Sequence, residues 1–259
     1  MVNDPLILEA GRVPEGTRAL VTGGGSGIGR SIAAALDSAG ATVVVCDADS
    51  STNPDFVVDI AEELDVQEMF RGIEQDLGGL DVLVNNVGIA GPAGLVDEIA
   101  TDAFDHVLEV NVGGTFRVTR QAVPLLRASG GGLIVNIAST AGIFAYPYRS
   151  PYVASKWAMV GLGQSWAMEL GADDIRVNVI CPGSVGGPRM DQVIEREAEA
   201  TGIDEAVLRS GYESQVSMRR FMDPADIAGA VVYMASPAGR HVSGQVLSVD
   251  GATETLRSS

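Results

Sequence analysis

Val21-Thr22-Gly23-Gly24-Gly25-Ser26-Gly27-Ile28-Gly29 is the stretch on which the reading of this chain turns. The apolar run Ala19–Thr22 that leads into it predicts a short buried strand, and the apolar spacing over Gly27–Ala39 predicts a helix. Glycines between a strand and a helix let the chain turn tightly. They also let backbone N–H groups approach a pyrophosphate at the helix N-terminus, where unpaired donors favour an anion. The spacing is Gly-x-x-x-Gly-x-Gly and does not match the Gly-x-Gly-x-x-Gly dinucleotide fingerprint. A glycine-rich turn alone is a weak signal; its place between strand and helix gives it weight. The predicted cofactor contacts here are Gly23, Ser26, Gly27, Ile28 and Gly29.

Outward from this turn, short β-branched runs alternate with longer helical stretches. The predicted strands are Ala19–Thr22, Thr42–Cys46, Phe56–Val58, Val82–Asn85, Leu133–Ala138, Val177–Cys181 and Val246–Val249. Several are apolar on both faces, as in a parallel sheet covered on each side. Between them, helices are predicted near Gly27–Ala39, Val66–Leu77, Thr101–Arg127, Tyr152–Leu170 and Pro224–Ala235. Strand and helix in alternation predict an α/β fold: a Rossmann-type doubly wound parallel sheet, three layers deep, with residues 1–259 as a single domain. Only Ala48 to Phe56 separate the second strand from the third, which leaves little room for a crossover helix. Conversely, Gly183 to Phe221 is long and holds polar helical stretches at Gln192–Ala200 and Asp204–Arg209. Such an insertion after a strand's carboxyl end reads either as a substrate lid or as a surface helical hairpin, and the lid is favoured.

Composition narrows the function classes. The 259 residues carry 34 acidic against 17 basic side chains, a formal charge of -17, which repels phosphate backbones and anionic lipid. Nucleic-acid and membrane partners are therefore not expected. No apolar run of about 18 residues marks a span, and Met1 to Gly16 lacks the basic-then-apolar pattern of a secretory leader. A cytoplasmic protein is expected. Cys46 and Cys181 end apolar runs and read as small buried hydrophobes, and two scattered histidines, His106 and His241, add no metal-ligand cluster. No metal is expected, and the histidines read as surface or core fillers.

Asp47 ends the second strand, 18 residues beyond Gly29. That is close to the spacing expected of a carboxylate that accepts hydrogen bonds from an adenosine ribose, and a carboxylate there repels a 2′-phosphate. No arginine or lysine lies beside it, so NAD is predicted over NADP. Further along, Tyr152 and Lys156 stand four residues apart and share one face of a helix. A phenol titrates near 10, and lowering that by about three units takes roughly 4 kcal/mol, which an adjacent ammonium supplies by stabilising the phenolate. Lys156 is the only lysine among 17 basic residues, so the position escaped whatever drove the rest to arginine. Ser139, just past the strand Leu133–Ala138, reads either as a donor to a substrate carbonyl or as a turn cap.

Thr22–Gly29, Asn85-Asn86-Val87-Gly88, Asn111, Ser139, Tyr152-x-x-x-Lys156 and Pro182-Gly183 together resemble the ordered motifs of the short-chain dehydrogenase/reductase family, in its compact single-domain subgroup. The resemblance runs from about Arg18 to Gly251. It implies that Tyr152 is the acid/base, that Lys156 lowers its pKa and binds the nicotinamide ribose, that Ser139 holds the substrate oxygen, and that Asn111 keeps a water linked to Lys156. It also implies cofactor contacts by Asp59, Ile60, Asn86, Gly88, Pro182, Gly183 and Val185. Two positions depart from the pattern. Val87 replaces an alanine, and Gly187 stands where a cofactor-binding threonine is usual. By position in the family, Ile89, Ala90, Ile143, Phe144, Tyr146, Met190 and Tyr212 face the substrate. Arg149 and Arg189 read either as ligands for an anionic substrate group or as interface residues. Family helices corresponding to Thr101–Arg127 and Tyr152–Leu170 pair between subunits, which implies a homotetramer or dimer.

Three functions follow. The first is an NAD(H)-dependent oxidoreductase interconverting a secondary alcohol and a ketone. The second is an NADPH-preferring ketone or 3-oxoacyl-thioester reductase, which Asp47 opposes. The third is a non-enzymatic NAD-binding sensor, which should have lost part of the Ser–Tyr–Lys set.

Overall fold

The computed structural model describes residues 11–254, apart from the side chains of Arg189, Arg196, Glu199, Ala200 and Thr201. The leader reading of Met1 to Gly16 therefore falls mostly outside the described residues. The strands are β1 (Arg18–Thr22), β2 (Thr42–Asp47), β3 (Phe56–Val57), β4 (Val82–Asn85), β5 (Gly132–Ile137), β6 (Ile175–Pro182) and β7 (Val246–Val249). The helices are α1 (Gly27–Ser38), α2 (Glu63–Leu77), α3 (Thr101–Leu108), α4 (Thr115–Ala128), α5 (Ser150–Leu170), α6 (Pro188–Thr201), α7 (Glu205–Ser214) and α8 (Pro224–Ala235).

All seven strands pair in parallel in the order β3-β2-β1-β4-β5-β6-β7. The order reverses between β1 and β4, so a crevice opens there at the strands' carboxyl ends. The two-residue period of a strand splits its apolar side chains between two cores. Ala19, Val21, Val84 and Val135 meet Ile32 and Leu36 of α1 and Ile227 and Val231 of α8. Leu20, Leu83 and Ile134 meet Val66 and Phe70 of α2, Val118 and Leu126 of α4 and Trp166 of α5 on the other face. Leu20, Leu83 and Ile134 are fully buried, and each such side chain contributes about 1.5–3 kcal/mol. This is the expected Rossmann-type three-layer arrangement.

Helix starts follow local chemistry. Asp223 and Asp226 form a reciprocal cap on α8, and Asp204 caps α7. Pro151, Pro188 and Pro224 stand in the first turns of α5, α6 and α8, where their missing N–H costs nothing. The short β2–β3 link holds only a single turn, Ser50–Thr52, and no helix. One expectation is corrected: Thr101–Arg127 is not one continuous helix. A widened π-type turn at Glu109–Gly114 separates α3 from α4. A Cβ on Gly114 would meet the Ile60 side chain at 2.6 Å, so the glycine permits this close approach. Asn111, inside the turn, is tied to the chain at Ile89. Among the described residues no helix is long and apolar enough to cross a membrane.

Candidate active site

The crevice over the carboxyl ends of β1, β4, β5 and β6 is a cleft of about 750 Å³. At its floor, Thr22 Oγ1 accepts from the Asn86 and Val87 N–H groups at 3.0 and 3.3 Å, and Asn86 Nδ2 donates to the Thr22 and Gly23 carbonyls at 3.1 Å. These bonds lock the ends of β1 and β4 together beneath the glycine turn. Gly23, Ser26, Gly27 and Ile28 line the cleft. The Ser26 side chain makes no capping bond to α1 and no acidic residue occupies the first turn, which leaves backbone donors there for an anion. Asp47 also lines the cleft, its Oδ2 held by the Gly25 N–H and its Oδ1 by the Asp49 N–H, each at 3.1 Å. Asp59, Ile60, Asn86, Gly88, Pro182, Gly183 and Val185 complete the predicted cofactor wall.

Gly29, also predicted as a cofactor contact, does not line the cleft. It lies beneath the loop, where a Cβ would meet the Gly23 carbonyl oxygen at 2.1 Å. Gly29 therefore serves close packing of α1 on the turn. At Gly187, φ is 127°, a backbone that a threonine would rarely adopt, so the departure from the family pattern has a conformational cause.

Ser139, Tyr152 and Lys156 line the same cleft. Ser139 sits where β5 ends, and its Oγ accepts from the Ala141 N–H at 3.1 Å, so the turn-cap reading is realised. That bond leaves the hydroxyl proton for donation toward the cleft. The Lys156 side chain is 3% exposed; its ammonium donates to the Ile137 carbonyl at 3.1 Å and sits 5.7 Å from the centre of the Tyr152 ring. A Cβ on Gly88 would lie 3.1 Å from that ammonium and 3.6 Å from Asn111 Oδ1, which marks how tightly the three residues converge. Asn111 itself does not line the cleft. Its amide oxygen accepts from the Ile89 N–H at 2.8 Å, and its nitrogen donates to the Ile89 carbonyl and to Ser155 Oγ, each at 2.9 Å. The carboxamide is thus a brace between the cleft floor and α5.

Of the residues expected to face substrate, Ile89, Ala90, Tyr146, Met190 and Tyr212 line the cleft, as does Arg149. Ile143 and Phe144 do not. The turn Thr140–Gly142 rotates Ile143 onto Ala138, Met159, Val179 and Cys181 instead. The Arg189 side chain lies outside the described residues. The segment after β6 folds as α6 and α7 around its own small core of Ile194, Leu208 and Tyr212. The Tyr212 hydroxyl donates to Glu197 Oε2 at 2.6 Å, and burial, then Tyr146, then that carboxylate raise its pKa. His106, read as a filler, lines the cleft from α3, and Gln215 lines it from the end of α7. The position of His106 five residues before Asn111 was the available signal, but a widened turn cannot be seen in periodicity. Cys46 and Cys181 are free and buried. Among the described residues no cluster of three or more His, Cys, Asp or Glu side chains is placed to hold a metal ion.

A nucleotide-sized crevice at a sheet reversal, with a polar triad on one wall, defines an oxidoreductase-type dinucleotide cleft. Comparison with known proteins takes this further. Residues 23–253 match the family model described as enoyl-(acyl carrier protein) reductase. The 3-oxoacyl-acyl-carrier-protein reductase of Thermotoga maritima is 33% identical over 252 residues, covering 92% of this chain and 97% of that protein. An NAD+-bound xylitol dehydrogenase structure superposes with a TM-score of 0.85 at 29% identity, covering 92% of this chain and 98% of that one. Actinorhodin polyketide ketoreductase with NADPH also gives 0.85, at 31% identity, over 91% and 96%. The chain belongs to the short-chain dehydrogenase/reductase family of nicotinamide-dependent oxidoreductases.

Proposed function

We propose that this protein interconverts a secondary alcohol and a ketone with NAD(H), Tyr152 acting as general acid/base. The observation that carries the reading is the chain's single lysine, buried in the cleft wall with its ammonium beside the Tyr152 ring. In the oxidation direction, Tyr152 as phenolate accepts the hydroxyl proton while the carbinol carbon gives up hydride and the C=O bond forms. The Lys156 cation favours that phenolate by charge. Ser139 donates to the substrate oxygen as its charge changes, a role its cap bond to Ala141 leaves open and orients. Asn111, through Ser155 and Ile89, positions α5 against the cleft floor.

The residues present fit a dinucleotide. Donors at the start of α1 suit the pyrophosphate, Asp47 the adenosine ribose hydroxyls, Asp59 and Ile60 the adenine, Lys156 the second ribose, and Val185 the carboxamide. Bound there, the nicotinamide supplies the hydride acceptor or donor. The Asp47 carboxylate, fixed toward the cleft by two N–H groups, supports NAD over NADP because a 2′-phosphate would meet like charge. The kinship with the actinorhodin polyketide ketoreductase, whose structure holds NADPH, favours the NADPH-dependent reading, and Asp47 weighs against it.

The helices α6 and α7 act as the substrate lid in this reading. Exposed Phe116 on α4 and Trp157 and Met168 on α5 support assembly as a homotetramer or dimer through those helices. The acidic surface suits a cytoplasmic enzyme with small-molecule partners. The test is a panel of secondary alcohols with NAD or NADP, followed by absorbance of the reduced nicotinamide. Tyr152→Phe should abolish turnover and leave NADH binding nearly intact; activity within tenfold of wild type would place the proton donor elsewhere, and clear preference for NADP would overturn the Asp47 argument.

A further inference from the structure

The cationic groups of the cleft are sorted to one end. Its two lining carboxylates, Asp47 and Asp59, stand at the ends of β2 and β3. The opposite wall carries Arg149 and Lys156. In a chain with 34 acidic and 17 basic residues, a local excess of positive charge is an exception that a neighbouring carboxylate would ordinarily cancel. Outside the cleft, Arg18, Arg117, Arg120, Arg127 and Arg209 each pair with an aspartate or glutamate, while Arg12, Arg30 and Arg71 are in no ion pair among the described residues and lie exposed to solvent. Arg149 is half-buried, lines the cleft, and appears in no side-chain hydrogen bond or ion pair among the described residues. The α6 carboxylate Glu197 accepts from the Tyr212 hydroxyl and is not part of the cleft lining.

We propose that Arg149 is an anion subsite, and that the substrate is a secondary alcohol or ketone bearing a carboxylate or a similar acidic group. This rests on the alcohol–ketone reading above. A guanidinium presents a planar fork of donors that matches a carboxylate in two parallel hydrogen bonds. Its placement also serves the chemistry. Arg149 immediately precedes α5, and its carbonyl accepts from the Val153 N–H at 2.9 Å, so its backbone is fixed to the helix that carries Tyr152 and Lys156. An acid group held there sets the distance from the anion to the carbon that exchanges hydride, and with it which hydroxyl of a substrate is presented. Tyr146, on the same wall, is positioned by its contact with Tyr212 to frame the approach to this subsite.

The test has a binding arm and a turnover arm. In the first, calorimetry measures butyrate and its neutral counterpart butyramide against the NADH-loaded protein. Wild type should bind butyrate at least tenfold more tightly, Arg149→Gln should erase the difference, and Arg149→Lys should retain part of it, since one charged hydrogen bond is lost in a partly screened site. In the second, hydroxy acids are compared with their methyl esters. The acid-over-ester ratio in kcat/KM should exceed ten and fall toward one in Arg149→Gln. NADH fluorescence and the thermal midpoint establish that each variant is folded. Equal binding of butyrate and butyramide, or an acid preference that survives Arg149→Gln, overturns the proposal. A lower native mass for Arg149→Gln with acid preference kept also overturns it, and assigns the residue to a subunit contact. If butyrate binding depends on Arg149 but no alcohol of either kind is oxidised, the subsite stands and the oxidoreductase reading fails.

Discussion

Gly142 closes the turn that begins at Ser139, and that turn rests directly on α5 at Lys156. A methyl group added to Gly142 would meet the Lys156 carbonyl oxygen at 2.7 Å and its carbonyl carbon at 3.0 Å. Both neighbours are backbone, so no flexible side chain can swing aside. To restore an ordinary 3.4 Å contact, turn and helix must separate by about 0.7 Å. Ser139 rides on one element and Tyr152 with Lys156 on the other, so the whole displacement falls on their mutual geometry. A misplacement of about 1 Å costs on the order of a hundredfold in rate. Gly142→Ala should therefore lower kcat by roughly ten- to a hundredfold. Overpacking adds a stability cost of about 1–3 kcal/mol, which for a chain of this size lowers the melting temperature by about 2–4 °C per kcal/mol. Asp47 and the glycine turn lie on other elements, so NADH affinity should change by less than about threefold. Steady-state turnover on the best alcohol, an NADH fluorescence titration and a thermal scan separate these effects. A kcat within twofold of wild type, with an unchanged melting temperature, would refute the claim that this contact sets the spacing of the three groups.

Arg18 donates to both oxygens of Asp81 at 2.8 and 2.9 Å, at the amino-terminal ends of β1 and β4, opposite the cleft. Burial pushes the Asp81 carboxyl up, but the hydrogen bonds and charge of Arg18 outweigh it and hold the pKa below its ordinary value. A depressed carboxyl pKa contributes stability above the ordinary carboxylate range, and that contribution is lost as pH falls through the folded value. Asp81→Asn should thus cost about 1 kcal/mol near pH 7, after solvent screening, and progressively less below about pH 4; urea unfolding at both pH values checks this, and an equal gap at each would contradict it. Burial pushes the thiol of Cys46 up to about 12 and that of Cys181 up to about 11. At pH 8 the native protein should resist iodoacetamide and label at both positions only after unfolding; rapid labelling of either would show that its surroundings open readily.

Much of the fold was legible because a parallel strand covered on both faces has a distinctive composition. Leu20, Leu83 and Ile134 supply one core and their sequence neighbours the other, and all seven strands fall within a few residues of where that pattern puts them. Helix identity was equally plain, but helix continuity was not. The widened turn at Glu109–Gly114 depends on Asn111 reaching Ile89, more than twenty positions away, and on Gly114 lying against Ile60. Neither contact leaves a mark in a local periodicity. The same distinction explains the site. Ser139, Tyr152 and Lys156 could be picked out because strand ends and a shared helix face are local properties. That Gly29 packs beneath the loop and Ile143 turns away from the cleft was not legible, because both depend on what packs across from them.

Arg149 makes the point from the other side. Its charge was visible in the sequence and suited equally an anion or an interface. What separates the two readings is a property of the folded chain: no described carboxylate meets it, although acidic residues outnumber basic ones two to one. Some arginines of this chain pair with carboxylates and others, such as Arg30 and Arg71, lie exposed to water, whereas Arg149 is half-buried in the cleft wall with neither. An arginine kept from pairing, beside a lysine that is the only one of its kind, concentrates positive potential over a few residues of one wall. Such a potential acts alike on the two partners of a redox reaction when both carry the same anion, so it binds alcohol and ketone equally and leaves the proton on Tyr152 as the variable. The cation would lower KM in both directions without itself driving either, and the direction of the reaction would rest on cofactor supply and pH.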